Sequence, residues 1–73
     1  MLKGEQIMKH FNLMPTNDFS PSVIEKCGSL FPFITTKSKA IAYAKQVKKQ
    51  FPNVEFELTE GNTWGSQVLI QTF

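Results

Sequence analysis

Residues 35–59 read TTKSKAIAYAKQVKKQFPNVEFELT, a stretch whose hydrophobic pattern changes from helical to alternating along its length. Its first part has apolar residues at helical spacing, so we expect an amphipathic helix there. Thr35 or Thr36 can cap the first turn of that helix, and Pro52 with Asn53 ends it. The apolar positions that define the stripe are Ala40, Ile41, Ala44, Val47 and Phe51.

After the helix, the period changes from helical to alternating. Val54, Phe56 and Leu58 alternate with polar residues up to residue 59, which is typical of a half-buried strand. Residues 60–62 supply turn chemistry, and alternation resumes over residues 63–73. On that second strand one side holds Trp64, Val68 and Ile70, with Gly65 as a candidate bulge. The sequence therefore predicts a C-terminal antiparallel hairpin packed on the helix.

The first half of the chain predicts shorter elements. Residues 30–35 (LFPFIT) suit a short strand, which Pro32 restricts to a sheet edge. Residues 6–14 place Ile7, Phe11 and Met14 on one helical face, which predicts a first short helix. Ser20 followed by Pro21 resembles an N-cap with proline at the first helical position, and Gly28 closes this second short helix.

These elements predict an α+β fold in one small domain over residues 1–73. Residues 1–28 form a helical or irregular N-terminal segment, and residues 30–73 form a β-α-β-β core. At 73 residues the chain is near the lower size limit for one self-sufficient core, but 41% hydrophobic residues are too many for a disordered polypeptide.

Several functional classes lack support in the sequence. Cys27 is the single cysteine and His10 the single histidine, so neither a disulfide nor a zinc site has ligands, and we expect no metal and no cofactor. No phosphate loop follows Gly61 or Gly65. No basic start precedes an apolar stretch, and no apolar run could span a bilayer, so we expect a cytoplasmic protein without membrane contact.

Catalysis is also disfavoured. His10 would need a nearby nucleophile and an orienting acid, and the spacing supplies neither. Cys27 can be read as a reactive thiol or as a small buried hydrophobe, and its apolar neighbours favour the second. Glu55 and Glu57 alternate on a strand, so they point to solvent and do not pair with Glu60. We expect no enzymatic activity.

Charge is separated along the chain. The predicted helix has five lysines and no acid, whereas the rest of the chain has three lysines and six acids. On a helical wheel only Lys39 lies apart; the other four, which we call the lysine surface, share one flank of the apolar stripe. The lysine surface consists of Lys37, Lys45, Lys48 and Lys49.

The lysine surface admits a functional and a structural interpretation. It can bind phosphates or an acidic protein surface, or it can simply keep a small domain soluble. All eight basic residues are lysine, and arginine is the residue best suited to reading guanine edges, so sequence-specific DNA recognition is disfavoured. Trp64 and Phe73 are candidate apolar anchors for a partner or for bases, and the alternative for Trp64, which is favoured, is that it fills the gap between hairpin and helix.

A second candidate surface is apolar. Leu69 and Phe73 alternate away from the other apolar residues of the last strand, so one set points away from the helix unless the N-terminal segment covers it. Left uncovered, such a face marks a protein interface or a homodimer, and an exposed last strand can pair edge to edge with another chain. The residues available as a cover are Met8, Phe11, Leu13, Met14 and Phe19.

The order of these elements resembles a known group of proteins. The segments TTKSKAIAYAKQVKK, VEFEL and NTWGSQVLI, within residues 31–73, are similar in pattern to small α+β proteins of phages and mobile elements, anti-CRISPR inhibitors among them. The resemblance implies an inhibitor that evades host defence without catalysis, by occupying a surface on a host complex that handles nucleic acid. The stretch FPNVEFELTEG also resembles the thioredoxin-like selenoprotein W family, but the Cys-x-x-Cys of that family is missing near Cys27.

We therefore expect a non-enzymatic binding protein. The residues expected to contact its partner are those of the lysine surface, Lys37, Lys45, Lys48 and Lys49, together with Trp64 and Phe73. The expected partner is a protein with an acidic surface, such as a host ribonucleoprotein. The alternative is a non-specific nucleic-acid-binding domain that uses the same lysines, and a homodimer is compatible with both.

Overall fold

The structure, a computed structural model, describes residues 10–61 and 67–73. Along the chain these residues form β1 (His10–Pro15), α1 (Pro21–Ile24), β2 (Gly28–Ser29), α2 (Lys37–Gln50), β3 (Phe56–Gly61) and β4 (Gln67–Thr72). The four strands make one antiparallel sheet in the order β2-β1-β3-β4. This arrangement confirms the predicted α+β class and the predicted hairpin of β3 and β4.

The helix α2 connects strands that lie on either side of β1. Since β2 and β3 are both antiparallel to β1, they are parallel to each other, and the chain between them must cross over β1. The crossover places α2 on β1 and β3, where Ala40, Ala44 and Val47 are buried. These are three of the five apolar positions expected from the spacing, and Ile41 and Phe51 pack half-buried beside them.

The core lies between α2 and one face of the sheet. Alternate residues of β1 and β3 point into it, and small alanines on the helix allow close approach to the large side chains of the strands. The buried hydrophobic residues are Phe11, Leu13, Val23, Leu30, Ala40, Ala44, Val47, Val54, Phe56 and Leu58.

The expected helix over residues 6–14 is wrong for the part that the structure describes. Residues 10–15 form the central strand β1, with Phe11 and Leu13 buried and Met14 47% exposed. The apolar residues of this segment fit both the helical and the alternating period. The segment is a strand because its backbone pairs with β2 on one side and with β3 on the other. Residues 6–9 lie outside the described residues.

The expected edge strand over residues 30–35 is also wrong in position. The edge strand is β2, immediately before it, and the following residues turn, with the Ile34 N–H donating to the Leu30 carbonyl at 2.9 Å. Pro32 has no N–H to continue a ladder. Gly28 begins β2 with φ of 109°, a conformation that favours glycine, after the predicted helix α1.

The hairpin differs from the expected one in register. Residues 60 and 61, expected in the turn, belong to β3, and a bulge lies opposite the step from Leu58 to Thr59. The bulge places an extra residue, Ile70, in β4 and reverses the alternation, so Ile70 and Phe73 both pack against the core. The expected separation of these two residues onto opposite faces is therefore wrong. Trp64 and Gly65 lie outside the described residues.

Neighbouring residues of β1 provide a test of this fold. Leu13→Ala removes a side chain with 0% exposure and should lower the free energy of unfolding by about 2–5 kcal/mol. Met14→Ala, on the open face of the sheet, should change it by less than about 0.5 kcal/mol. Urea denaturation followed by circular dichroism measures both. A larger loss from Met14→Ala than from Leu13→Ala would contradict the strand and support a helix.

Candidate binding surface

The helix that carries the lysine surface is held by its two ends. Thr36 is the N-cap residue, with extended backbone, and its carbonyl accepts the Ala40 N–H at 3.0 Å, although its side chain makes no capping bond. At the other end the Phe51 N–H donates to the Val47 carbonyl at 3.0 Å. The predicted start and end are thus confirmed to within a residue.

Three lysines of the surface are free to meet a partner. Lys37, Lys45 and Lys49 are exposed, and within residues 10–61 and 67–73 none of their side-chain ammonium groups has a hydrogen bond or an ion pair. On the helical wheel these three lysines share one flank of α2, and the helix contains no acid. Each therefore presents its ammonium group to solvent.

Lys48 has a different environment. Its ammonium Nζ donates to the Val54 carbonyl oxygen at 2.7 Å, and its side chain is half-buried. This bond joins the last turn of α2 to the segment that leads into β3. The structure therefore gives Lys48 a role in holding the connection between helix and sheet, separate from the three exposed lysines.

The same connection is tied from the other side by the chain that leaves β1. The Thr16 N–H donates to the Glu55 carbonyl at 2.8 Å, and the Glu55 N–H donates to the Asn17 side-chain oxygen at 2.8 Å. Asn17 also donates through Nδ2 to the Asn53 carbonyl at 3.5 Å. These bonds join the residues after β1 to the connection between α2 and β3.

A surface cavity of about 420 Å³ opens beside this connection. It is lined by Thr16, Lys48, Glu55, Phe56, Glu57, Thr72 and Phe73. One cation and two acids face it, and the Lys48 ammonium is already bonded to a backbone carbonyl. The cavity has no concentration of one charge sign that would select an anion or a cation.

The candidate apolar anchors are only partly described. Phe73 exchanges two backbone hydrogen bonds with Phe56, at 2.8 and 3.0 Å, and its half-buried ring packs against the core. Its remaining exposed part borders the cavity. Trp64 lies outside the described residues.

The residues considered for catalysis are separated in space or engaged elsewhere. The ring of His10 packs on Phe31, with centroids 4.5 Å apart. The Asp18 carboxylate accepts the Ser20 N–H at 3.0 Å. Glu57 and Glu60 point to opposite faces of β3, since they are three residues apart on a strand. Within the described residues, no three ligating side chains come together as a metal site.

Cys27 is half-buried against the core, beside Tyr43. The Tyr43 hydroxyl donates to the Lys26 carbonyl at 2.7 Å, which fastens the end of α1 to α2. Burial raises the pKa of the Cys27 thiol above its ordinary value of 9.0. Burial, and then the charge of Cys27, raises the pKa of Tyr43. A raised thiol pKa means less thiolate, so it disfavours a nucleophilic role.

Comparisons with models of protein families, with curated proteins and with solved structures found no match to this chain. None of the helices in the described residues combines the length and the apolar character that a membrane span requires. The functional evidence therefore comes from the surface of the chain itself.

The helical wheel identifies the exposed lysines but not the hydrogen bond of Lys48. A wheel gives only the direction of a side chain around the helix, whereas the acceptor, the Val54 carbonyl, lies six residues further along the chain and outside the helix.

A matched pair of lysine substitutions separates structural from solvent-facing lysines. Lys48→Met leaves the Val54 carbonyl without its donor and should lower the free energy of unfolding by about 1 kcal/mol. Lys45→Met, on the same helix but exposed, should change it by less than about 0.5 kcal/mol. Equal effects in urea denaturation would show that the bond of Lys48 contributes nothing to stability.

The raised pKa of Cys27 gives a pH dependence with a defined sign. Above about pH 9 the unfolded thiol loses its proton while the folded thiol keeps it. The contribution of Cys27 to stability is therefore constant below that pH and falls as pH rises through it. Thermal unfolding from pH 7 upward should show this fall in stability, and Cys27→Ser should make the fall less steep. An equally steep fall in Cys27→Ser would contradict the prediction.

Alkylation with iodoacetamide tests the burial of the Cys27 thiol directly. At one pH, the folded protein should react more slowly than the urea-unfolded protein.

Proposed function

We propose that this chain is a non-enzymatic binding protein that contacts an acidic protein surface through Lys37, Lys45 and Lys49. The observation that carries the proposal is the exposure of these three lysines on α2, where their ammonium groups have no hydrogen bond or ion pair within the described residues. Charges arranged in this way steer association with a surface of opposite sign and set orientation.

The position of Lys37 adds an argument from helix energetics. The N-terminal end of a helix carries partial positive charge, so an acid is favoured there and a lysine is unfavourable. Lys37 begins α2, and the first turn contains no acid. Lys49 in the last turn favours helix stability, but Lys37 opposes it. A role in binding accounts for a lysine that helix stability does not.

The resemblance to small inhibitors of phages and mobile elements supplies the proposed context. In that context the chain acts stoichiometrically in a host cytoplasm, and the acidic surface belongs to a host complex that handles nucleic acid. Lysine carries a compact point charge, which suits contact with an acidic surface that does not require the specific bidentate geometry of arginine. The alternative function is non-specific binding of nucleic acid by the same three lysines.

The test uses a charge-reversed variant with Lys37, Lys45 and Lys49 all changed to Glu. Lysate of a candidate host is passed over immobilised wild type, this triple variant and the single variant Lys39→Glu. Lys39 is exposed on the same helix but off the flank, so it is the matched control. We expect a protein that wild type and Lys39→Glu retain and the triple variant loses. Equal retention by all three would overturn the proposal and leave the lysines as a solvated face.

A salt titration against short duplex and single-stranded DNA tests the alternative. Three phosphate contacts would give a slope of log affinity against log salt of roughly −2.7 for duplex DNA and about −2.1 for single-stranded DNA. Under the protein-binding proposal we expect no retention of either DNA at about 50 mM salt, where bare phosphate binding is strong. Retention with that slope would replace the acidic protein surface by nucleic acid as the partner.

Lys37→Glu alone should move stability and binding in opposite directions. Replacing the cation by an anion at the start of α2 should raise the free energy of unfolding by about 0.3–1 kcal/mol, because the helix dipole favours the acid. Binding of the retained protein should weaken. A variant that is more stable and binds equally well would remove Lys37 from the contact surface.

A further inference from the structure

The strand β4 forms one edge of the sheet within the described residues. Its sequence, QVLIQT, contains neither a charged residue nor a proline. Proteins usually protect a sheet edge with lysine, with proline or by making the edge strand very short, because an open edge pairs with other chains. Apart from its bulge, β4 has none of these protections over its six residues.

The backbone of β4 has hydrogen-bonding groups that no other strand of the described residues satisfies. Phe56 and Phe73 exchange both of their backbone hydrogen bonds, so the next pairs along the ladder alternate between bonded and non-bonded. Glu57 with Thr72, and Thr59 with Leu69, are therefore non-bonded pairs. The N–H and C=O groups of Thr72 and Leu69 point away from β3, where only another strand would satisfy them in a regular ladder.

Apolar side chains lie at the middle of this edge. Val68 is 64% exposed and Leu69 is 53% exposed, and Ile70 beside them is half-buried. The helix α2 packs mainly on β1 and β3, so it does not cover the middle of β4. Burial of these side chains against an added strand would favour association, because it removes apolar surface from water.

The opposite edge of the sheet limits which strand of a second copy can pair with β4. That edge is β2, which has two residues and is followed by the turn that contains Pro32. A head-to-tail contact from β4 to β2 would build an open filament, but β2 is too short to support it. A contact between β4 of one copy and β4 of a second copy uses the same surface on both, so it gives a closed dimer and not a filament. Because β4 has no charged residue, the two copies of the strand do not repel each other.

We propose that two copies of this chain form a symmetric dimer through β4, paired antiparallel about a two-fold axis near Leu69. The two sheets then join into one sheet of eight strands, with both copies of α2 on the same face. The bulge at Ile70 twists the strand and keeps the paired segment short, so the dimer is reversible. This proposal goes beyond the proposed function and does not depend on whether the lysine surface binds a partner.

Sedimentation equilibrium of the full chain over a wide concentration range tests the dimer. The wild-type mass should rise toward twice the 8.3 kDa of one chain. Leu69→Lys, which protects the edge with a charge, should remain at the mass of one chain. Phe33→Lys, at a 91% exposed position outside β4, is the control and should dimerise as wild type does. Circular dichroism checks that both variants are folded.

Cross-linking locates the interface independently of any effect on folding. In a Cys27→Ser background, Leu69→Cys should form a cross-linked dimer with a short bismaleimide, because the two-fold axis brings the two thiols together. Phe33→Cys in the same background should remain monomeric under the same conditions. A wild type that stays monomeric at the highest concentration would overturn the proposal. So would a dimer that Leu69→Lys leaves intact, or equal cross-linking at both positions.

Discussion

The insertion of β1 between β2 and β3 is the interaction on which the rest of the structure depends. It pairs the backbone of residues 10–15 on both sides and buries Phe11 and Leu13 beneath α2. With β1 in the centre, the connection between β2 and β3 must cross it, and that crossover is α2. The position of the lysines relative to the sheet therefore follows from a strand at the other end of the chain.

The five lysines of α2 are chemically alike but structurally different. Lys48 bonds the carbonyl of Val54 and helps to hold the entry into β3, whereas the other four, Lys37, Lys39, Lys45 and Lys49, face solvent. The three exposed lysines that share one flank of α2, Lys37, Lys45 and Lys49, are suited to orienting a partner of opposite charge. The proposed dimer would place two such surfaces on one face of a continuous sheet, so that an extended partner could contact both.

Predictability from sequence varied with the length of the periodic segment. The helix α2 and the hairpin follow from long runs with one clear period, and the exposed lysines follow from the helical wheel. Residues 10–14 fit a helix through Phe11 and Met14 and a strand through Phe11 and Leu13, so the local pattern could not decide. The bulge at Ile70 gives no signal in composition, yet it reverses the direction of every later side chain in β4.

The sequence by itself determined the α+β class, the boundaries of α2, the hairpin and the charge separation, because each depends on local periodicity or composition. Tertiary structure decided that β1 is a central strand, that β2 precedes Pro32, and that Lys48 is used internally. It also decided that β4 lies at an edge of the sheet formed by the described residues. These four features depend on which backbone groups find partners far away in the chain, and pairing of that kind satisfies hydrogen bonds that no local pattern specifies.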